Sequence, residues 1–251
     1  MKYDTQNFKL LKNEEIADGI FDWEVENNEL CALSKCGQFV SVKVPSRTLR
    51  RPISICDADK NTLRLVFQVK GEGTKLMSEM KVGDNVEILA PLGNGFSIEK
   101  GKRYCFVGGG IGVPPLLFSA KQTDNPMIIT GFRNKDLVIL QDDFKAVSDD
   151  VYLATDDGSA GEKGFVTDIL KEHLDEIDEV CACGPIPMLK AVADVCKGKV
   201  KCQVSLEERM GCSVGACLVC ACKTKTKDGI KMTQVCKNGP VYDAEEVFFD
   251  A

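Results

Sequence analysis

Histidine is almost missing from this 251-residue chain, which carries only His173. That excludes histidine-based catalytic triads, Rieske-type ligation and histidine-rich zinc catalysis. His173 lies in a helix-like stretch and reads as a surface residue. Long hydrophobic runs are missing too. The amino-terminal MKYDTQNFKLLKNEEIADGIF interrupts each apolar stretch with charge, and nowhere do about eighteen apolar residues follow one another. Neither a signal peptide nor a membrane span is predicted, and the expected location is the cytoplasm. Nor is there a basic stripe. The net charge is −6, and no Lys/Arg cluster is long enough to track phosphates, so nucleic acid and anionic membrane are excluded as partners. No internal repeat or low-complexity linker is visible.

What remains suits a globular chain: 44% of residues are hydrophobic, enough for one substantial core or two smaller ones with an appendage. Three textures follow one another, predicting three domains at residues 1–100, 101–205 and 206–251. The first shows short period-two runs such as Phe39–Val44 and Leu63–Val69 punctuated by Gly and Pro, the pattern of an antiparallel β-barrel. One helix is expected inside it, N-capped by Thr74, with Leu76, Met77 and Met80 on one face and its end at Gly83–Asp84. The second alternates buried strands (Tyr104–Val107, Met127–Thr130, Val151–Ala154, Val180–Cys183, Val200–Val204) with helices (Pro114–Lys121, Leu137–Val147, Val166–Leu174, Ile186–Cys196). That alternation predicts a doubly wound α/β domain. The third is too short for a core of its own, so a metal centre is its expected organiser.

Cysteine is what the chain has in excess, with thirteen. In a reducing compartment this points to metal or redox chemistry rather than disulfides. From Cys212 the spacing is C-x4-C-x2-C-x15-C, through Cys217, Cys220 and Cys236. A [2Fe-2S] cluster needs thiolates converging from one tight loop and one remote strand, which this spacing supplies. Gly211, Gly215 and Ala216 allow amides to approach the sulfurs. The rival is structural zinc, but closed zinc sites usually present paired C-x2-C knuckles and only Cys217 and Cys220 form one. Cys222 reads as a core residue, and Cys31, Cys36, Cys56, Cys105, Cys181, Cys196 and Cys202 as small hydrophobes.

Three loops fall at predicted strand carboxyl ends, where doubly wound sheets bind ligands. Gly108, Gly109, Gly110 and Gly112 join a strand to a helix that starts with Pro114, a phosphate-binding arrangement although not the full G-x-G-x-x-G fingerprint. Asp156 lies in a polar loop ending at Gly164, and Cys183-Gly184-Pro185 forms the third. Each alone is more often a plain turn; three on one sheet favour a dinucleotide site. No carboxylate closes the second strand, so NAD and NADP are not distinguished. In the β segment, Arg51-Pro52-Ile53-Ser54 is extended, because the residue before proline avoids the helical region. Its guanidinium and hydroxyl suit a flavin and its phosphate. Gly73-Thr74 opens the short helix, a second anion site.

The succession R-P-I-S, G-E-G-T, G-G-G-I-G, T-D-D-G-S-x-G-x-K-G and C-G-P-x-P-M resembles the ferredoxin-NADP reductase superfamily over roughly residues 5–205. The block S-L-E-E-R-M-G-C-S-V-G-A-C-L-V-C with V-C-K-N-G-P-V-Y-D-A-E-E-V resembles the electron-transfer subunits of NAD-dependent dihydroorotate dehydrogenases. The resemblance implies a six-stranded FAD barrel, a pyridine-nucleotide domain and a [2Fe-2S] domain. Carried over by position, Arg51, Pro52, Ile53, Ser54, Val66, Phe67, Gln68, Gly73 and Thr74 would contact FAD, although Gln68 stands where many relatives have arginine. Gly108 to Gly112, Asp156, Cys183, Gly184 and Pro185 would bracket NAD, and Cys212, Cys217, Cys220 and Cys236 would ligate the cluster. The implied partner is an FMN-containing catalytic dihydroorotate dehydrogenase subunit, with two copies of each chain, whose electrons pass singly through the cluster to FAD for hydride transfer to NAD+. Two rivals are a reductase subunit for ferredoxin, sulfide or hydrogen metabolism and a non-catalytic zinc or redox-sensing module.

Overall fold

The structure, a computed structural model, describes residues 4–26, 28–227 and 229–249. Six antiparallel strands close a barrel in the order β1-β2-β5-β4-β3-β6: β1 (Asp4–Ala17), β2 (Ile20–Glu26), β3 (Phe39–Val42), β4 (Arg51–Ala58), β5 (Thr62–Gln68) and β6 (Asn85–Leu92), with α1 (Asn28–Cys31) after β2 and α2 (Glu72–Ser78) after β5. Closure leaves no open sheet edge. The long β1 pairs with β6 through its first half and with β2 through its second, with irregularities between Leu10 and Lys12 and between Glu15 and Ala17. Such bulges bend a strand enough for it to serve both neighbours.

Alternation buries one side of each strand. Trp23 is fully buried, meets Phe67 edge to face at 5.2 Å between ring centroids, and donates its indole N–H to Asn13 at 2.9 Å. Truncating such an anchor to alanine costs about 3–5 kcal/mol. A second buried group is ionic: Asp22, with no exposure, accepts from Arg64 and from Lys12 at 2.9 Å, and Arg64 also reaches Asp143 in the following domain.

That domain is a seven-stranded sheet in the order β10-β9-β8-β7-β11-β12-β15. Its strands are β7 (Tyr104–Gly109), β8 (Met127–Phe132), β9 (Val151–Thr155), β10 (Glu162–Lys163), β11 (Glu179–Cys183), β12 (Lys201–Ser205) and, from the carboxyl-terminal segment, β15 (Val241–Asp243). All pairings are parallel except β12 with β15. The crossover helices are α3 (Pro114–Ala120), α4 (Gln141–Lys145), α5 (Val166–His173) and α6 (Ile186–Cys196). The helix expected over 137–147 is broken. A 3-10 turn occupies Lys135–Leu137, and Leu140 adopts a left-handed φ of +61° before α4. Burial of Leu140 and Phe144 beneath the sheet overrides local helical periodicity there.

The carboxyl-terminal segment is not freestanding. Its hairpin, β13 (Ala221–Thr226) with β14 (Gly229–Gln234), stands apart, but Cys220, Val235, Cys236 and Tyr242 pack into the same apolar core as Val107, Ile129 and Val204. Its backbone also docks on the barrel, Asn94 N–H donating to Gly239 at 2.6 Å. Among the described residues no helix is long and apolar enough to cross a membrane. His173 lies tilted against Tyr152, ring centroids 4.7 Å apart, and bonds Glu176 at 3.0 Å at the end of α5.

Candidate functional site

A cavity of about 210 Å³ lies between the barrel and the sheet. One wall is Pro52, Ile53 and Ser54 from β4 with Val66, Phe67 and Gln68 from β5, the two segments expected to hold a flavin; Thr74 and Ile111 complete the rim. The opposite wall is Ser205 to Glu208 and Met210. The volume suits one ring system, so the remainder of any dinucleotide must lie along the surface beyond it.

Beside the cavity, α2 offers its first turn. Gly71, not Thr74, is the N-cap. Thr74 is the third helical residue, and its hydroxyl accepts from the amides of Lys70 at 3.0 Å and Gly71 at 3.3 Å. This reversed cap tightens the loop and leaves the helix start available to an anion. A Cβ on Gly73 would meet the guanidinium of Arg51, the movable end of a long side chain, so the glycine lets that group lie close over the helix start. Arg51 donates to Leu49 O at 2.7 Å, which holds its positive fork over the helix start. A guanidinium and a helix N-terminus together fit a pyrophosphate.

The nucleotide loops sit at the carboxyl ends of β7, β9 and β11. Most of the glycine turn faces protein: a Cβ on Gly108 would meet Val113 at 2.8 Å, on Gly109 Met188 at 2.5 Å and on Gly112 the carbonyl of Cys183 at 2.5 Å, whereas Gly110, at φ +55°, faces open space. Gly184 packs on Met188 in turn. The glycines therefore let the first and third loops touch, and Gly110 alone presents unobstructed backbone. Asp156 is exposed; its amide donates to Phe132 O at 3.0 Å, while Ser159 closes the loop by donating to Asp157 at 2.6 Å and accepting from Lys135 at 2.8 Å. Cys183 joins these loops to the cavity. Burial pushes its thiol well up, with the Glu207 charge adding to that and the Ser205 hydroxyl opposing it. Burial also raises the Glu207 carboxyl, which Lys70 counters; Glu207 still reaches solvent, which tempers the effect.

Two residues beyond the cavity wall the cysteine loop begins. Amides of Ala216 at 3.2 Å, Cys217 at 3.4 Å and Val214 at 3.5 Å point at Cys212 Sγ, and Gly215 N–H points at Cys236 Sγ at 3.1 Å. Left-handed backbone at Ser213, Gly215 and Leu218 wraps the loop, and Gly211 lacks the Cβ that would press on Cys217 Sγ at 3.1 Å. Burial raises the Cys212 thiol, but the three amides outweigh it and bring it down to about 6. Burial and contact with Cys220 push Cys236 up to about 12. The sulfurs thus fall into two contacting pairs, Cys212 with Cys217 and Cys220 with Cys236, while no three candidate ligands among the described residues gather about a single point. Two thiolates per iron is the donor set of a binuclear cluster, and amides aimed at sulfur stabilise thiolate charge. Cys222 points away, toward Thr233 Oγ1 at 3.5 Å and Tyr242 OH at 3.8 Å, half-buried rather than fully in the core. Outside this segment the other thiols are buried.

A family model described as the iron-sulfur cluster binding domain of dihydroorotate dehydrogenase B matches residues 207–248. The dihydroorotate dehydrogenase B (NAD(+)) electron transfer subunit of Caldanaerobacter subterraneus subsp. tengcongensis is 41% identical over 247 residues, covering 96% of this chain and 97% of that protein. The chain belongs to this family of electron transfer subunits. The Clostridium perfringens subunit is 43% identical with the same coverage. A solved structure of NADH-dependent reduced ferredoxin-NADP oxidoreductase, described in the context of flavin-based electron bifurcation, superimposes with a TM-score of 0.86 at 31% identity, covering 97% of this chain and 90% of that one. As a member of the family the chain is an oxidoreductase subunit, and its iron-sulfur domain on a ferredoxin-reductase-like fold supports FAD, NAD(H) and a [2Fe-2S] cluster as its cofactors.

Sequence reasoning missed part of the cavity. Phe39, Lys70, Ser205 to Glu208, Met210 and Pro240 line it, yet none was assigned a role there. The only signal was position: S-L-E-E-R-M leaves the carboxyl end of the last parallel strand, where such sheets hold ligands.

Proposed function

We propose that this subunit receives electrons at the Cys212 loop from an FMN-containing catalytic dihydroorotate dehydrogenase chain and delivers them to NAD+ at the barrel cavity. The setting is pyrimidine biosynthesis in the cytoplasm, in an assembly with two copies of each chain. The observation that carries this reading is continuity: the cavity wall ends at Met210 and the first cluster cysteine follows at 212, roughly 7 Å of extended chain. The two sites are also tied across the barrel by a buried Ser41–Ser213 hydrogen bond of 2.9 Å.

Bound here, FAD supplies conversion between hydride and single-electron transfer, and the cluster supplies a one-electron relay. Within this reading the chain's own residues position and insulate. Pro52 to Ser54 and Val66 to Gln68 form the ring wall, while Arg51, Gly73 and Thr74 take the pyrophosphate. Gly108, Gly109, Gly110, Gly112, Asp156, Cys183, Gly184 and Pro185 flank the nicotinamide nucleotide. Cys212, Cys217, Cys220 and Cys236 hold the cluster, and 1–100, 101–205 and 206–251 are the three domains. The loop's tip supports a partner face beside the cluster: Cys217 is exposed, with Leu218 and Val219 exposed at 65% and 55%, an apolar group suited to burial in an interface.

The test is reconstitution. The chain mixed with its FMN partner is expected to oxidise dihydroorotate with NAD+. The double variant Leu218→Asp/Val219→Asp is expected to lose most of that activity and co-elution while keeping NADH oxidation with a flavin-reactive dye. Unchanged co-elution would reject the loop tip as the partner face, and no NAD-linked oxidation by the unaltered pair would reject the function.

A further inference from the structure

A second cavity, of about 540 Å³, lies at the other end of β12 from the flavin wall, between the end of α6, the start of β12 and residues 243–249. Cys196, the last residue of α6, and Cys202, the second of β12, both line it. Their thiols act directly on one another, with Cys202 Sγ also 4.0 Å from Gln203 O, although little of either reaches solvent, 1% and 5%. The link between them is short and fixed. The amides of Lys199 and Val200 both donate to Cys196 O, at 2.9 and 3.0 Å, and Gly198 takes a left-handed φ of +69°. Bringing the two sulfurs together has therefore already been achieved by the fold, with little further loop entropy to lose.

We propose that Cys196 and Cys202 form an oxidant-responsive dithiol, a modification site at which hydrogen peroxide converts the two thiols to a disulfide. The substrate class follows from the cavity, which admits a small uncharged molecule to sulfurs that larger reagents cannot reach. The roles of the two thiols differ. The neighbouring Cys202 lowers Cys196 despite its burial, with Lys199 adding to the effect, while the proximity of Cys196 and burial hold Cys202 well up. Cys196 is thus the nucleophile and Cys202 the proton-bearing resolver. By contrast, burial raises Cys56, Cys105 and Cys181 alike.

The steps balance. The Cys196 thiolate attacks one peroxide oxygen, the O–O bond breaks, and the departing hydroxide takes the proton Cys196 released, leaving a sulfenic acid and one water. Cys202 sulfur then attacks the sulfenic sulfur, its proton leaves with the hydroxyl as a second water, and the S–S bond forms. The bond ties the carboxyl end of α6 to β12. At their other ends these elements carry the Cys183-Gly184-Pro185 loop and Ser205 in the flavin cavity.

The experiment uses the intact holoprotein. It is exposed to increasing hydrogen peroxide while the visible absorption of the cluster is followed, then unfolded in denaturant containing N-ethylmaleimide, or dimedone for Cys202→Ser, digested and mapped by mass. The expected result is that Cys196 and Cys202 lose alkylation together before cluster absorption falls, appear as one cross-linked peptide pair, and regain both thiols with dithiothreitol. In Cys202→Ser, dimedone should label Cys196; in Cys196→Ser, Cys202 should stay alkylable. Two outcomes overturn the proposal: both thiols staying fully alkylable up to the peroxide level that bleaches the cluster, or Cys105 replacing Cys202 in the cross-link.

Discussion

The flavin cavity and the cysteine loop are joined in sequence yet built on opposite principles. The cavity sits on a closed barrel whose side chains are locked by apolar packing around Trp23 and by the buried Asp22–Arg64 pair. The loop is buried in the apolar core only at its Cys220 end; the rest is shaped by left-handed backbone at Ser213, Gly215 and Leu218 and by amides turned toward sulfur. One site is preformed by its fold, whereas the other is a set of donors completed by what it binds. On this account the barrel is expected to hold a flavin whether or not the cluster is present, and the loop to be completed by its metal.

The largest expected effect tests that asymmetry. Cys220→Ser removes a buried sulfur proposed as a cluster ligand, and iron content and long-wavelength absorption should fall close to zero. FAD content and NADH oxidation with a flavin-reactive dye should stay near the parent level; loss of both cofactors together would show that the two sites are one folding unit. Next comes Arg64→Met, which leaves Asp22 buried with Lys12 as its remaining ion partner and unties Asp143. A cost of about 3 kcal/mol is expected, read as a lower thermal midpoint with cluster absorption intact. A smaller effect is expected for Gly73→Ala, whose Cβ must displace the Arg51 guanidinium: FAD affinity measured by flavin fluorescence should weaken about tenfold, roughly 1.4 kcal/mol, with iron content unchanged.

Those elements were unequally legible in the sequence. Period-two strands and the alternating α/β texture announced both large domains, because burial on one or both faces writes itself into local pattern. The cysteine spacing marked the loop for the same reason, ligands being fixed by covalent reach. What stayed hidden depends on distant contacts. Leu140 breaks its helix because the core beneath β8 requires it, and Val241–Asp243 extends the nucleotide sheet through pairing with Gln203 to Ser205. Thr74 exchanges places with Gly71 as the cap because Lys70 and Gly71 turn their amides toward it. Gly108, Gly109 and Gly112 carry a nucleotide-binding signature but serve mainly to let protein approach protein. The wall of Ser205 to Glu208 and Met210 was marked only by its place after the last parallel strand, since its opposite side comes from strands more than a hundred residues earlier.

The most direct test of a cluster feeding a flavin cavity in the same chain is cofactor content of the anaerobically purified complex with the proposed FMN-containing partner, read with the visible spectrum. About two irons and one FAD per copy of this chain, with FMN accounted for by the partner, are expected. A complex without FMN, or with a cysteine loop holding a single zinc in place of two irons, would contradict it.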